Sequence, residues 1–229
     1  MNQHPFCTGA LRKETLFFTK KYRGTVTLER LVGHFSFKKL MRNRGKCLFF
    51  ESTPDNVYEE AAPGRIYKYN PKAKLIFLVR EPVSRAISEY NMACKYAIVK
   101  NLCVREDPER EYFDYLRQPD KYPFEWFVKE EFRRMEETGS RLPSAFHYPD
   151  FIRHGLYSEQ LERYLQYFSP EQILILESKS LKTDKRNTLS AIEDFLELPH
   201  HEWSEKDLVN SNIGVYTRQV PDECKLFLK

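Results

Sequence analysis

Three apolar runs stand out from an otherwise mixed chain. Lys74-Leu75-Ile76-Phe77-Leu78-Val79-Arg80 is continuous, rich in strand formers, and begins just after the Asn70-Pro71 turn. Gln172-Ile173-Leu174-Ile175-Leu176-Glu177 repeats the pattern, and Lys46-Cys47-Leu48-Phe49-Phe50-Glu51 gives a shorter version. Apolar runs without polar alternation are what a parallel sheet covered on both faces requires, so all three are expected to be buried strands. Helical spacing lies between them. Leu28, Leu31, Val32, Phe35 and Leu40 carry one stripe, and Val83, Ile87, Tyr90 and Cys94 a second. Phe124, Phe127, Phe132 and Met135 mark a third, and Leu156, Leu161, Leu165 and Phe168 a fourth. Thr188 to Leu196 forms a fifth, stopped by Pro199. Strands alternating with helices predict an α/β layered fold with right-handed crossovers.

Composition narrows this picture without redirecting it. At about 150 residues per domain, 229 residues make one large domain or two small ones. No break in composition divides the chain, so residues 1–229 are read as one domain. Hydrophobic residues at 41% and charged residues at 31% exclude a disordered, collagenous or coiled-coil chain. Lys and Arg exceed Asp and Glu by 37 to 33, a net charge of +4. That suits an anionic ligand and is too weak to predict nucleic acid as a partner. No apolar run approaches the roughly 20 residues of a membrane span, and Met1 to Pro5 does not open a secretory leader. An anchor, if the parent protein has one, is expected outside these residues. Oligomeric state is not readable.

Two polar stretches, 100–120 and 137–149, carry Pro108, Pro119, Gly139, Pro143 and Pro149 and are expected as surface excursions. The five cysteines form no CxxC pair. Free thiols are expected, with a Cys94–Cys103 bridge as the alternative. His34, His147, His154 and the pair His200-His201 lack metal-ligand spacing, and no metal is predicted. Lys38, Lys39, Arg42, Arg44 and Lys46 form a basic cluster that serves either to attract an anionic glycan or as a solvated helix face.

The chemistry concentrates where the strongest strand ends. Arg80 leaves the strand, and Pro82 stands at a first helical position, where its fixed φ fits and its missing N–H costs nothing. The helix that follows is expected to present free amides and a positive dipole end beside Arg80. Arg85 and Ser88 are three apart, and Ser84 and Ser88 four apart, so they share one flank. One guanidinium from the strand end, a second from the helix and a hydroxyl suit a phosphate dianion. A surface helix with an incidental Arg–Glu pair is the alternative.

Leu78-Val79-Arg80-Glu81-Pro82-Val83-Ser84-Arg85-Ala86-Ile87-Ser88-Glu89-Tyr90 resembles the 3′-phosphate-binding motif of sulfotransferases, and most closely that of the carbohydrate branch containing the heparan sulfate enzymes. Three further segments fall in the family's order. His4-Pro5 with Lys13-Glu14-Thr15-Leu16-Phe17-Phe18 is similar to its His-Pro…Lys-Glu-x-x-Phe-Phe segment. Glu51-Ser52-Thr53-Pro54 with Asn70-Pro71 and Lys74 is similar to its Glu-x-Thr/Ser-Pro…Asn-Pro-x-x-Lys run, and Gly155-Leu156-Tyr157-Ser158-Glu159-Gln160-Leu161 to its Gly-x-Tyr-x-x-Gln-Leu helix start. The resemblance implies a P-loop-like fold with a central, mostly parallel sheet flanked by helices. It also implies sulfuryl transfer from 3′-phosphoadenosine 5′-phosphosulfate (PAPS) to a hydroxyl or amine of an anionic or neutral glycan. By the same resemblance Glu14 is the base, with Lys13 near the site, and Arg80, Ser88 and Arg85 bind the 3′-phosphate. Tyr157 is placed at the ligand by the resemblance, or is a core tyrosine. A Golgi lumen or membrane location is implied for an animal protein, and the cytoplasm for a bacterial one.

Departures accompany the match. The family's 5′-phosphosulfate loop is expected ahead of His4, and its last helix is expected to run on past Lys229. The chain thus reads as a piece clipped at both ends or as a divergent member. Ser52 stands where the heparan sulfate enzymes carry Lys. A non-catalytic anion-binding remnant and a related nucleotide kinase are the alternatives. The absent G-x-x-x-x-G-K-[ST] loop counts against the kinase.

Overall fold

The computed structural model describes residues 1–19, 32–99, 114–139 and 150–209. Packing divides the chain into two compact units. One is formed by Met1–Val79 with Ser158–Ser211, the other around Arg80–Tyr157.

The first unit holds the strands. β1 (Cys7–Gly9) pairs with β2 (Leu48–Phe50), and β3 (Leu75–Val79) pairs with β4 (Ile173–Glu177). Both pairings are parallel, as the unbroken apolar runs require. The register from Leu75↔Ile173 to Val79↔Glu177 shows why β3 and β4 have no polar alternation. Leu75, Phe77 and Ile173 face a cluster containing Phe17, Phe18, Ile66, Tyr164 and Phe168. On the opposite face, Ile76, Leu174 and Leu176 pack against Leu189, Ile192 and Trp203. A strand buried on both faces needs apolar residues at every position. Two expectations of burial fail. Leu78 and Ile175 are about half exposed, and Leu48 and Phe49 are exposed as well in β2, which among the described residues pairs with β1 alone.

Helices α1 (Lys38–Arg42), α2 (Ala62–Tyr69), α5 (Tyr157–Leu165), α6 (Ser180–Thr183) and α7 (Lys185–Phe195) surround these strands, α5 starting at the last residue of the other unit. The stripe predicted from Leu28 to Leu40 falls in part on residues outside those described. Leu28 and Leu31 lie outside the described residues, and Phe35 is buried but precedes α1. In α5 the buried positions are Gln160 and Tyr164, and Leu165 faces out. The Tyr164 hydroxyl donates to the Asn56 carbonyl at 2.6 Å, so an amphipathic ring fills a place where leucine was expected. The basic cluster is not uniformly solvated either. The Lys39 ammonium donates to the carbonyls of Asn2, His4 (3.1 Å) and Cys7 (2.7 Å) and so clamps the N-terminal turn. Lys38, Arg42, Arg44 and Lys46 are exposed.

The second unit is built on α3 (Pro82–Val99) and α4 (Phe124–Thr138). Ala86, Tyr90, Cys94 and Ala97 of α3 meet Phe124, Phe127, Val128, Leu116 and Phe151. The Tyr90 ring lies 5.3 to 5.8 Å from Phe124, Phe127 and Phe151. On α4 the buried stripe is Phe124, Phe127, Val128 and Glu131, and Phe132 turns outward. Cys7 and Cys47 are free thiols and Cys94 is buried. Cys103 lies outside the described residues, and with it the proposed bridge.

Candidate functional site

Arg80, the start of α3 and Tyr157, all in the second unit, hold the first group of predicted site residues. Glu81 caps the helix: its carboxylate accepts from the Val83 amide at 3.0 Å and from the Ser84 amide at 2.7 Å. This corrects the expectation of free amides beside Arg80. A carboxylate at this end satisfies the unpaired donors and offsets the helix dipole. Of the donors predicted to meet an anion here, the side chains remain. The Arg80 amide donates to the Tyr157 hydroxyl at 3.2 Å, which brings two of the predicted residues together across 77 positions of sequence. Tyr157 begins α5, just after the turn Arg153–Gly155. Gly155 permits that approach, since a Cβ there would stand 3.3 Å from the Pro82 Cβ and 3.7 Å from the Arg85 Nε.

Arg85 has a different place from the one expected. Its side chain is 12% exposed, and its two terminal nitrogens donate to Glu89 and to the Phe151 carbonyl. Glu89 in turn meets the His154 ring at 2.9 Å. Burial works against charge on Glu89, but His154 and Arg85 outweigh it and hold the carboxyl below its ordinary range. The Arg85–Glu89–His154 chain thus fastens α3 to the turn that carries Tyr157. Ser88, three residues on from Arg85, is partly exposed on α3.

A second carboxylate supports the same turn. Glu131, fully buried, accepts from the Ile152 amide at 2.9 Å and the Arg153 amide at 2.8 Å. Asp150 beside it is paired with Arg153 at 3.3 Å and Arg134 at 3.6 Å. Burial, and then the charge on Asp150, push Glu131 up to about 7, against the pull of the two amides. A carboxyl whose folded pKa is raised stabilises the fold most below its ordinary value. It loses that contribution as pH rises from 4.5 to about 7, and the dependence is level above. Referred to Glu131→Gln, the wild-type melting temperature is therefore expected to fall across that window, by the equivalent of at most about 3.5 kcal/mol. Thermal melts of both proteins between pH 4 and 8 check this, and parallel curves would remove Glu131 as the cause.

The remaining predicted residues lie in the first unit. Lys13 and Glu14 form an ion pair at 3.4 Å on the surface, with side chains 77% and 45% exposed. The backbone around them is unusual. Glu14 has φ +50° and Leu16 φ +57°, both in the left-handed region that costs a residue with a side chain on the order of 1 kcal/mol or more. The segment is pinned within and just after that strain. Phe17 and Phe18 are buried, with rings 5.0 Å apart. The Thr15 hydroxyl donates to Glu51 at 2.8 Å, and the Leu16 amide donates to the Thr53 hydroxyl at 3.1 Å.

Lys74, the last residue of the Asn-Pro-x-x-Lys motif, donates to the Phe195 carbonyl and to Glu197, each at 2.6 Å. That motif fixes the entry into β3. His4 is buried, its Nε2 3.0 Å from the Pro199 carbonyl and its Nδ1 accepting from the Phe6 amide at 3.2 Å. Among the described residues no three His, Cys, Asp or Glu side chains are grouped to hold a metal.

Glu51, Glu81, His154 and Glu131 carry structural roles that sequence reading did not assign. Glu81 was within reach, as an acid directly before a Pro-led helix. So was Glu131, a charge on an apolar helical stripe. The Glu89–His154 contact spans 65 residues and has no local signal.

Arg80 thus precedes a Pro-initiated helix that carries Ser88, and Tyr157 holds the arginine backbone. The comparisons give the class: the sulfotransferase domain family matches residues 50–219, and the chain belongs to that family. The match contains Arg80, Arg85, Ser88 and Tyr157, and Lys13 and Glu14 precede it. Relatives lie in the carbohydrate branch. Heparan sulfate glucosamine 3-O-sulfotransferase 5 of Mus musculus is 31% identical over 162 residues, covering 71% of this chain and 39% of the relative. Bifunctional heparan sulfate N-deacetylase/N-sulfotransferase 3 of Homo sapiens is 28% identical over 170 residues, 73% of this chain and 16% of the relative. The chain thus spans less than half the length of either. The crystal structure of a sulfotransferase from Alicyclobacillus acidocaldarius superposes with a TM-score of 0.59 at 18% identity, covering 99% of this chain and 81% of that one, and shares the fold. Among the described residues, no helix is long and apolar enough to cross a membrane.

Proposed function

We propose that this chain transfers a sulfuryl group from PAPS to a hydroxyl or amine of an anionic or neutral glycan, as one sulfotransferase domain comprising both units. The observation that carries the reading is the Arg80 segment: a strand end whose amide is held by Tyr157 and whose helix is already capped by Glu81. With the helix amides occupied, the phosphate-binding groups are the Arg80 guanidinium and the Ser88 hydroxyl. This donor set fits a phosphate dianion through charge-assisted hydrogen bonds. Arg85 supports them from inside, through Glu89 and Phe151.

Glu14 is the base in this reading. The acceptor oxygen or nitrogen attacks sulfur in line and gives its proton to the Glu14 carboxylate as the new bond to sulfur forms. The bond from sulfur to the donor's bridging oxygen breaks, and 3′-phosphoadenosine 5′-phosphate (PAP) leaves. In the same reading Lys13 offsets charge developing on the sulfuryl oxygens. The heparan sulfate enzymes among the relatives support a glycosaminoglycan acceptor, and the family resemblance implies the Golgi lumen or membrane for an animal protein and the cytoplasm for a bacterial one.

The test is nucleotide binding followed by transfer. By calorimetry the full chain is expected to bind PAP at least about 10-fold more tightly than the analogue lacking the 3′-phosphate, since a charge-assisted hydrogen bond contributes about 1.5–3 kcal/mol. Radiolabelled sulfate should then pass from PAPS to members of a glycan panel. Equal affinity for the two nucleotides would overturn the assignment.

A further inference from the structure

Glu51 makes the densest set of side-chain hydrogen bonds near Glu14, and the proposed reaction gives it no part. Its Oε1 accepts from the Thr15 hydroxyl at 2.8 Å and from the Thr53 hydroxyl, and its Oε2 accepts from the Asn56 side-chain amide at 2.8 Å. A carboxylate has no hydrogen to give, so both hydroxyl protons must point at it. That orientation leaves each hydroxyl oxygen free to accept. Thr15 accepts from the Phe17 amide at 3.3 Å, and Thr53 accepts from the Leu16 amide at 3.1 Å. Two consecutive backbone amides are thus held by hydroxyls whose polarity one carboxylate sets. The residues on either side of Thr15 are Glu14 and Leu16, the two with left-handed φ in this segment.

We propose that Glu51 is a positioning residue for Glu14, and that its grip on Thr15, Thr53 and Asn56 holds the left-handed backbone from which the Glu14 side chain projects. The inference rests on the reading of Glu14 as the base. Left-handed backbone at residues with side chains persists where the surroundings over-determine it, and here the surroundings are this network and the buried Phe17 and Phe18. The aromatic pair anchors the segment into the core. The carboxylate fixes the turn ahead of it.

The network's polarity gives a test that simple destabilisation does not imitate. Glu51→Gln places an amide against the Asn56 amide, two donors facing each other, unless the new side chain flips and faces the threonine hydroxyls with donors or Asn56 turns its Oδ1 toward it, an exchange that Asn56→Ala on the Glu51→Gln background removes. Glu51→Gln combined with Asn56→Asp reverses donor and acceptor on that side and lets the position-51 carbonyl keep both threonines. We expect Glu51→Gln to lower kcat for sulfate transfer from PAPS to a desulfated heparin panel by roughly 10-fold, with PAP affinity unchanged, because misplacing a catalytic group costs rate rather than remote binding. The double variant should recover most of that loss. Thr15→Ser, which keeps the hydroxyl, should lose far less than Thr15→Val.

Amide exchange read by NMR gives a measure independent of turnover. Protection at Leu16 and Phe17 should fall in Glu51→Gln and return in the double variant. Glu14→Gln, run in parallel, separates the two claims. If Glu14→Gln is inactive while Glu51→Gln keeps its kcat and its Leu16 protection, Glu51 has no positioning role. Full activity in Glu14→Gln would instead remove the base. Should Glu51→Gln fail to fold, the Thr15 pair and its exchange rates decide the matter alone, and equal behaviour of Ser and Val would overturn the proposal.

Discussion

Glu14→Gln is expected to slow sulfuryl transfer by roughly 100- to 10,000-fold while PAP affinity stays within a factor of about two. The substitution keeps shape and volume and removes only the capacity to accept a proton. The folded structure has little to lose from it. The Glu14 side chain is paired at 3.4 Å with an exposed Lys13, and exposed pairs of this kind contribute at most about 1 kcal/mol. The buried anchors of the segment, Phe17 and Phe18, are untouched. A rate measured with radiolabelled donor that matches wild type would take Glu14 out of the reaction. A loss accompanied by weaker nucleotide binding would point to a general disturbance.

Arg80→Ala is expected to weaken PAP binding by roughly 100-fold and to leave the analogue without the 3′-phosphate nearly unaffected, since a guanidinium making two charge-assisted hydrogen bonds contributes about 3 kcal/mol. The backbone contact with Tyr157 uses the Arg80 amide rather than its side chain, so truncation spares it. Glu81 continues to cap α3. Calorimetry with both nucleotides reads the difference, and equal loss for the two would contradict the assignment. Because the helix amides are already bonded, the wild-type preference should also shrink as salt rises, as a side-chain charge is screened by added ions.

The parts of this protein that announce themselves in sequence are those where one local rule dominates. β3 and β4 were legible because burial on both faces forces an unbroken apolar run. α3 was legible because Pro82 starts it and Val83, Tyr90 and Cys94 keep helical spacing. β1, three residues long, has too few positions to show a period. α2 was hidden because Pro63 and Gly64 look like breakers, although a proline in the first turn disturbs nothing. The stripe of α4 was misread at Phe132, where an aromatic ring turns outward and Glu131 goes in to hold the Ile152 and Arg153 amides. A polar residue buried for its hydrogen bonds cannot be found by counting apolar positions. At the site, the residues of the Arg80 motif were legible as a set because Arg80 leads directly into the helix that carries both Arg85 and Ser88. Their differing employment was not. Arg85 binds inward because Glu89, a turn away, and Phe151, far along the chain, both accept from it.

The order in which the ribosome releases this chain bears on how it reaches its native state. β3 finds its partner β4 about a hundred residues later, and His4 meets the Pro199 carbonyl 195 positions on. The strand-bearing unit therefore cannot close until nearly 200 residues have emerged, whereas α3, α4 and the turn after them come from one uninterrupted stretch. That stretch is free to condense first, during synthesis, while the cluster of Phe17 and Phe18 still lacks Tyr164 and Phe168. Long waits of this kind slow folding and invite association between unfinished chains. A helper that shields aromatic side chains until the fourth strand arrives would raise the yield of soluble protein.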